Sequence, residues 1–386
     1  MTRDFNAIAE EAFAAARHLK VTTAAGIAMK ATRWLWEDQR NHWIPMGSLV
    51  GLGGREGVGK STWCAYLIAM ITTGKLPGDN YGVRKGVIVC STEDDWATTI
   101  KPRLAAAGAD MSRVYQVQAV GADGLDDIVT LPNDLVEMEQ TIRDRDVALV
   151  VLDPLLTFVN KHLDTHKDAE IRRALEPVVR MAHDTRASVI GLIHVNKTSE
   201  GDLMNRLMAS RAIGAVVRGV LFCANYKPLE DEGDEEGVDP DEPRRARFVF
   251  GQIKNNLQAK VMQAVEYHME GMQVSYDDEA GKAIEGSYLV IDGTMNENVE
   301  DIVLDQEKRK KSASTEGGKA LAWLVGYLAG KGEVPSAQVI QHGEAAQHSR
   351  DSIHRARRNL GERIAVVNLP GVPRRTTWEL LEEKLQ

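Results

Sequence analysis

Cysteine is scarce in this sequence: Cys64, Cys90 and Cys223 are the three in 386 residues, each alone inside an apolar segment. None has a partner at the spacing of a zinc ribbon or a disulfide framework, so all three are expected to be reduced core residues. No apolar run is long enough to cross a bilayer, and the first residues lack the charged, apolar and small-residue order of a secretory leader. A cytoplasmic protein that does not contact membrane is the expectation. Positive charge is also in short supply, with a net charge of -9, which excludes a surface coated in positive potential. The deficit is uneven. From Asp301 onward 14 Lys and Arg face 11 Asp and Glu, whereas the first 300 residues carry 33 against 45. Any nucleic-acid contact is therefore expected to be local, through a pore or a tail. Metal-binding histidine pairs are missing as well. His162 and His166 in "HLDTH" have a four-residue spacing, but no helix is predicted there and no third ligand follows.

What is present begins with "DFNAIAEEAFAAARHLK" at 4–20, where Phe5, Ile8, Ala9, Ala12, Phe13 and Ala16 recur at helical spacing. This predicts an amphipathic helix within an N-terminal arm of residues 1–30, either covering its own core or docking onto a neighbouring subunit. Trp34, Trp36 and Trp43 follow, ahead of a Pro and a Gly, and read as aromatic anchors beneath a sheet. Apolar runs then alternate with amphipathic ones: "GVIVCSTE", "WATTIKPRLAAAG", "DLVEMEQTIRDR", "DVALVVLD", "AEIRRALEPVVRMAHDT", "ASVIGLIH". Strands apolar on both faces, separated by helices, predict an α/β domain over 31–300 with a mostly parallel sheet covered on both sides. After Gly219 the texture changes to "VLFCAN", "RARFVFGQI", "VMQAVEYHM" and "MQVSYDD", which predicts antiparallel strands extending one edge. The acidic "PLEDEGDEEGVDPDEP" between the first two reads as a solvated loop. A charged flexible linker is expected over 301–318. A small domain over 319–386 is predicted to hold three short helices and a hairpin.

The stretch "GGREGVGKST", Gly53 to Thr62, carries the clearest chemistry. Gly54, four residues, then Gly59, Lys60 and Ser61 fit the Walker A pattern, whose backbone N–H groups curl around a triphosphate. Lys60 would reach the β and γ phosphates and Ser61 would ligate Mg²⁺, with Gly57 and Thr62 completing the cradle. The loop lies between an apolar strand and a helix whose N-terminus faces the anion. ATP and Mg²⁺ are the expected cofactors. Asp153 ends the strand "VALVVL" and occupies the Walker B position, acting on Mg²⁺ directly or through its water. Glu93 ends "GVIVCSTE", where a carboxylate beside the phosphates suits general-base work on water; Asp94 and Asp95 compete for that role, but either reads more simply as the N-cap of the helix that starts near Trp96. His194 ends "SVIGLIH", placed either to sense the γ phosphate or to serve as a core hydrogen-bonding residue.

Gly54 to Ser61, Glu93, Asp153 and "LIHVNK" at 192–197 together resemble the RecA-type ATPases, in the branch of the plasmid-encoded RepA hexameric replicative helicase. The likeness covers about residues 30 to 275 and includes "WLW", "IPMG", "STEDD", "RLAAAGAD" and "HVNK". It implies a RecA-like P-loop core, a homo-oligomeric ring, usually of six, with ATP at each interface and single-stranded DNA in the channel. By the same resemblance Glu93 is the catalytic glutamate, and His194 couples the γ phosphate to DNA-facing loops. Rings of this kind need a cation from the neighbouring subunit. Arg218 is the first candidate, Arg211 the second and Lys254 the third; Asn256 stands where RecA's pattern has a second lysine. The loops after Asp153 and His194 correspond to pore loops and carry Lys161, Lys167, Lys197 and Arg206, with no aromatic platform, so contact to the DNA backbone is expected.

The tail resembles a winged helix-turn-helix. In "SRDSIHRARRNLG", Ser349 is the expected N-cap and Gly361 the stop; Ile353, Ala356 and Leu360 form the buried face. Arg355 and Arg358 then point outward toward duplex DNA, with Arg374 and Arg375 on the wing. The alternative is a protein-docking role. For the whole chain the leading expectation is a DNA motor. A recombination or loading ATPase and a nucleotide-switched DNA-binding regulator stay open.

Overall fold

The apolar runs become the centre of one sheet because each has a side chain for both of its faces. In a computed structural model the described residues are 21–121, 124–159, 168–195, 202–207, 211–227, 245–257, 262–314, 316–369 and 375–381. The N-terminal helix expected at 4–20, the acidic loop at 228–243, Lys161, His162, His166, Lys167, Lys197 and Arg374 lie outside them. The chain divides at Arg33 into two units. In the first, Ala24–Gly26 form a single 3₁₀ turn and Val21, Ile27 and Met29 are exposed.

The second unit opens with a ribbon of β1 (Trp34–Glu37) and β2 (His42–Pro45). Its main sheet contains β3 (Leu49–Gly54), β4 (Gly86–Ser91), β5 (Val114–Gln116), β6 (Val147–Asp153), β7 (Ser188–His194) and β8 (Gly219–Tyr226). Next come β9 (Arg247–Asn255), β10 (Val265–Asp277) and β11 (Lys282–Thr294). Their spatial order is β11-β10-β9-β8-β3-β7-β6-β4-β5. The six strands from β8 to β5 run parallel, and β9 to β11 add antiparallel pairings. β8, grouped with the antiparallel set from its texture, is thus the last parallel strand, since it pairs with β3 over Gly219–Cys223.

Side-chain alternation splits the interior in two. On one face Val150, Leu152 and Val189 pack with Met138 and Ile142 of α3 (Leu135–Asp144) and Leu175 and Val178 of α4 (Asp168–Thr185). On the other, Leu149, Val151 and Leu192 pack with Trp63, Leu67 and Ile71 of α1 (Lys60–Thr72) and Leu104 of α2 (Lys101–Ala106). The early tryptophans anchor this second face: Trp36 stacks on Trp43 with centroids 4.7 Å apart, and Trp63 on Phe250 at 3.9 Å. All three cysteines are buried and free.

Where a linker is expected over 301–318, the described residues are helix. α7 (Val299–Ser314) buries Val299 and Ile302 in the first core, and α8 (Glu316–Leu328) follows after Thr315. The charged surface pattern of "DQEKRKK" hid an apolar foot at the helix start. The C-terminal part has its own core of Leu324, Val339, Ile353 and Trp378. It is built from α8, β12 (Val334–Pro335), α9 (Ser336–Ala345), α10 (Arg350–Leu360), β13 (Ile364–Leu369) and β14 (Arg375–Leu380), with sheet order β12-β14-β13. Ser349 caps α10, its Oγ accepting from Ser352 N at 3.2 Å, and Gly361 ends it at φ 53°.

Candidate nucleotide-hydrolysis site

Parallel strands all end at one edge of the sheet, and the chemistry collects there. β3 runs into the loop before α1, where Gly57 and Gly59 take φ of 78° and 81°. Only glycine holds that backbone without strain. A Cβ on Gly57 would meet nothing within 4 Å, so the loop's surface there is bare backbone. α1 begins at Lys60 with no side-chain cap, which leaves its first amides for an anion. Lys60 is buried, and its Nζ donates to Gly54 O and Arg55 O, both at 2.9 Å. Burial lowers its pKa, against the raising charges of Cys223, Asp153 and Glu93.

Ser61 Oγ donates to Asp153 Oδ2 at 3.2 Å, joining the two residues expected to hold Mg²⁺. Asp153 is buried, and burial followed by the charge of Glu93 pushes its pKa up to about 6. A carboxylate so disfavoured alone is suited to a divalent cation, which restores its ionised form. The loop, the amides of α1, Lys60 and the Ser61–Asp153 pair therefore fit Mg²⁺ and a nucleoside triphosphate. Thr62, read as part of the cradle, is buried in the first turn of α1.

Glu93 lies two residues past the end of β4, half exposed, and its Oε1 is 3.1 Å from His194 Nε2. His194, the last residue of β7, is registered against Gly54, and Asp153 against Ser91. Residues 54, 93, 153 and 194 thus share one edge. Asp95, not Asp94, is the cap of the following turn, accepting from Thr98 N at 2.8 Å. Asp94 pairs with Arg103 Nη1 at 2.9 Å.

The cations expected to act across an interface stand elsewhere. Arg218 is exposed; its N–H donates to Leu49 O at the start of β3. The whole of β3, roughly 17 Å at strand rise, separates it from Gly54. Lys254 is engaged within its own chain: its Nζ donates to Gly214 O and to Val217 O at 3.3 Å, capping α6 (Arg211–Val216). Burial, then Arg218, lowers its pKa. Arg211 opens α6, with its side chain outside the described residues. Arg206, expected on a DNA-facing loop, is instead buried in α5 (Leu203–Leu207), where its guanidinium pairs with both carboxylate oxygens of Glu307 on α7 at 2.5 and 2.7 Å. The pairing partner lay in the segment read as linker, so the sequence offered no signal for it. Arg355 and Arg358 are exposed on α10, as their spacing implied. Also unforeseen was Tyr267 of β10, whose hydroxyl donates to Val58 O and supports the phosphate loop from the antiparallel side.

No curated protein matches the chain. Residues 13–200, which take in the phosphate loop, Glu93, Asp153 and His194, match the family model of the AAA domain, and the site they build is that of a P-loop ATPase.

Proposed function

We propose that this chain is a ring-forming motor of the RepA-like type, coupling hydrolysis of Mg-ATP to movement along single-stranded DNA. The observation that carries the reading is the 3.1 Å contact between Glu93, just past the end of one strand, and His194, at the end of another, beside the phosphate loop. A carboxylate that accepts a proton from attacking water, touching the residue that opens the next loop, ties hydrolysis to that loop's position. With a nucleotide bound, Lys60 would exchange its two carbonyl partners for phosphate oxygens. Ser61 and Asp153 would hold Mg²⁺, which would supply charge neutralisation at the phosphates. Arg218, too far to act on its own chain's site, is the first candidate to complete the site of a neighbouring copy, and six copies making one ring is the arrangement we favour.

The test is ATP turnover with and without an oligonucleotide, followed by a forked-duplex assay. Stimulation and strand separation are expected. No stimulation by single-stranded DNA would sink the motor; stimulation without opening would favour a recombination or loading ATPase. A second reading draws on Arg355 and Arg358, exposed on the third helix of a three-helix, three-stranded C-terminal fold that suits a winged helix-turn-helix. A duplex footprint at one sequence that disappears in Arg355→Ala would favour a nucleotide-switched regulator.

A further inference from the structure

Glu93, which touches His194, sits on a turn whose flanking positions are each tied to a neighbouring element or cap. Thr92 N donates to Asp153 O at 3.1 Å on one side. On the other, Asp95 Oδ1 accepts from Thr98 N and, at 2.7 Å, from Thr98 Oγ1. Between them Asp94 pairs with Arg103, whose side chain is only 20% exposed. Arg103 stands on α2, whose neighbours Pro102 and Leu104 are buried. A guanidinium held that firmly on a packed helix is a rigid post, and Asp94 is tied to it.

Two further atoms point the same way. Arg103 Nε and Ser91 Oγ are both buried, and neither has a hydrogen-bond partner among the described residues. Both residues line a cavity of about 30 Å³, together with Ser61, Cys64 and Asp153. Buried polar atoms of this kind are satisfied by internal water, and such a volume accommodates about two molecules.

We propose that Arg103 is a positioning residue for ATP hydrolysis, holding the turn that carries Glu93 through its ion pair to Asp94 and, through water in the cavity, through Ser91. The proposal rests on Glu93 being the base. Arg103→Ala and Asp94→Asn are each expected to lower kcat about 10- to 100-fold, the cost of a reacting group displaced by about an ångström. KM for ATP and the affinity for a fluorescent ATP analogue should stay within about twofold, as for a loss confined to the chemical step. Arg103→Lys, which keeps the charge but not the fork, should recover part of the loss. Arg103→Ala added to Glu93→Gln should slow turnover no further.

Wild-type kcat in Arg103→Ala or in Asp94→Asn, with Glu93→Gln inactive, would overturn the proposal. A raised KM at unchanged kcat would do so too, by moving Arg103 to nucleotide binding. If Glu93→Gln itself turns over at full rate, the base assignment fails instead, whatever Arg103 does. Thermal denaturation separates these outcomes from misfolding; if Arg103→Ala does not fold, Asp94→Asn decides.

Discussion

The carboxyl edge of the main sheet and the joint between α5 and α7 are both built from residues far apart in the chain. At the edge, Gly54, Glu93, Asp153 and His194 meet because each lies at or just past the end of a buried parallel strand. Each buried strand ends where its apolar run stops, and that boundary decides which polar residues emerge at the edge. At the joint, Arg206 and Glu307 meet because two helices pack at one rotation and not another. Nothing local sets that rotation. The first kind of site can be located from periodicity; the second waits on packing.

The largest effects should come from breaking the edge. Lys60→Ala and Glu93→Gln are each expected to cost at least about 100-fold in turnover, the usual scale for a general base or a phosphate-stabilising cation. They should differ in binding: Lys60→Ala loses the nucleotide and Glu93→Gln keeps it, as a fluorescent ATP analogue would reveal. Equal loss of binding in both would remove Glu93 from its role.

Asp153 sharpens the comparison through pH. Its folded pKa of about 6 exceeds the unfolded 3.8, so the folded state binds the proton more tightly. Its contribution to stability is full below 3.8 and is lost as pH rises through about 6. The gap corresponds to at most about 3 kcal/mol. Without nucleotide or metal, Asp153→Asn should flatten that slope in urea denaturation between pH 4 and 7 and stabilise the chain at neutral pH; an unchanged slope would show that the carboxyl is not held in this way.

Breaking the joint should cost less. Arg206→Ala or Glu307→Ala alone is expected to lose about 2 kcal/mol, below the full penalty for a buried ion pair because Glu307 is partly exposed. The double variant should lose less than the sum, and strict additivity in denaturation would mean that the pair is not coupled. The smallest effect belongs to the C-terminal fold, where Ser349→Ala removes the cap of α10 and should cost about 1 kcal/mol, read from its melting temperature.

Legibility followed these same lines. The phosphate loop was readable because its chemistry needs fixed residues at fixed spacing, and the tryptophan anchors because large rings seek a core. The α10 cap and buried face were readable because caps and helical stripes are local. α7 was misread because its exposed side is so charged that the buried Val299 and Ile302 at its foot gave little pattern. Arg206 was misread for a related cause: a cation beside a loop looks like a surface cation until its carboxylate partner arrives from 101 residues away.

By itself the sequence determined where each strand must end, and with that which residues, Lys60, Glu93, Asp153 and His194, emerge at the carboxyl edge, because a strand buried on both faces stops where its apolar run gives way to polar residues. Only the tertiary structure decided which way helices turn their polar residues: Arg103 toward Asp94, Arg206 toward Glu307, Lys254 onto the end of α6. Those partners lie on separate elements, and the energy that selects them arises when the elements pack.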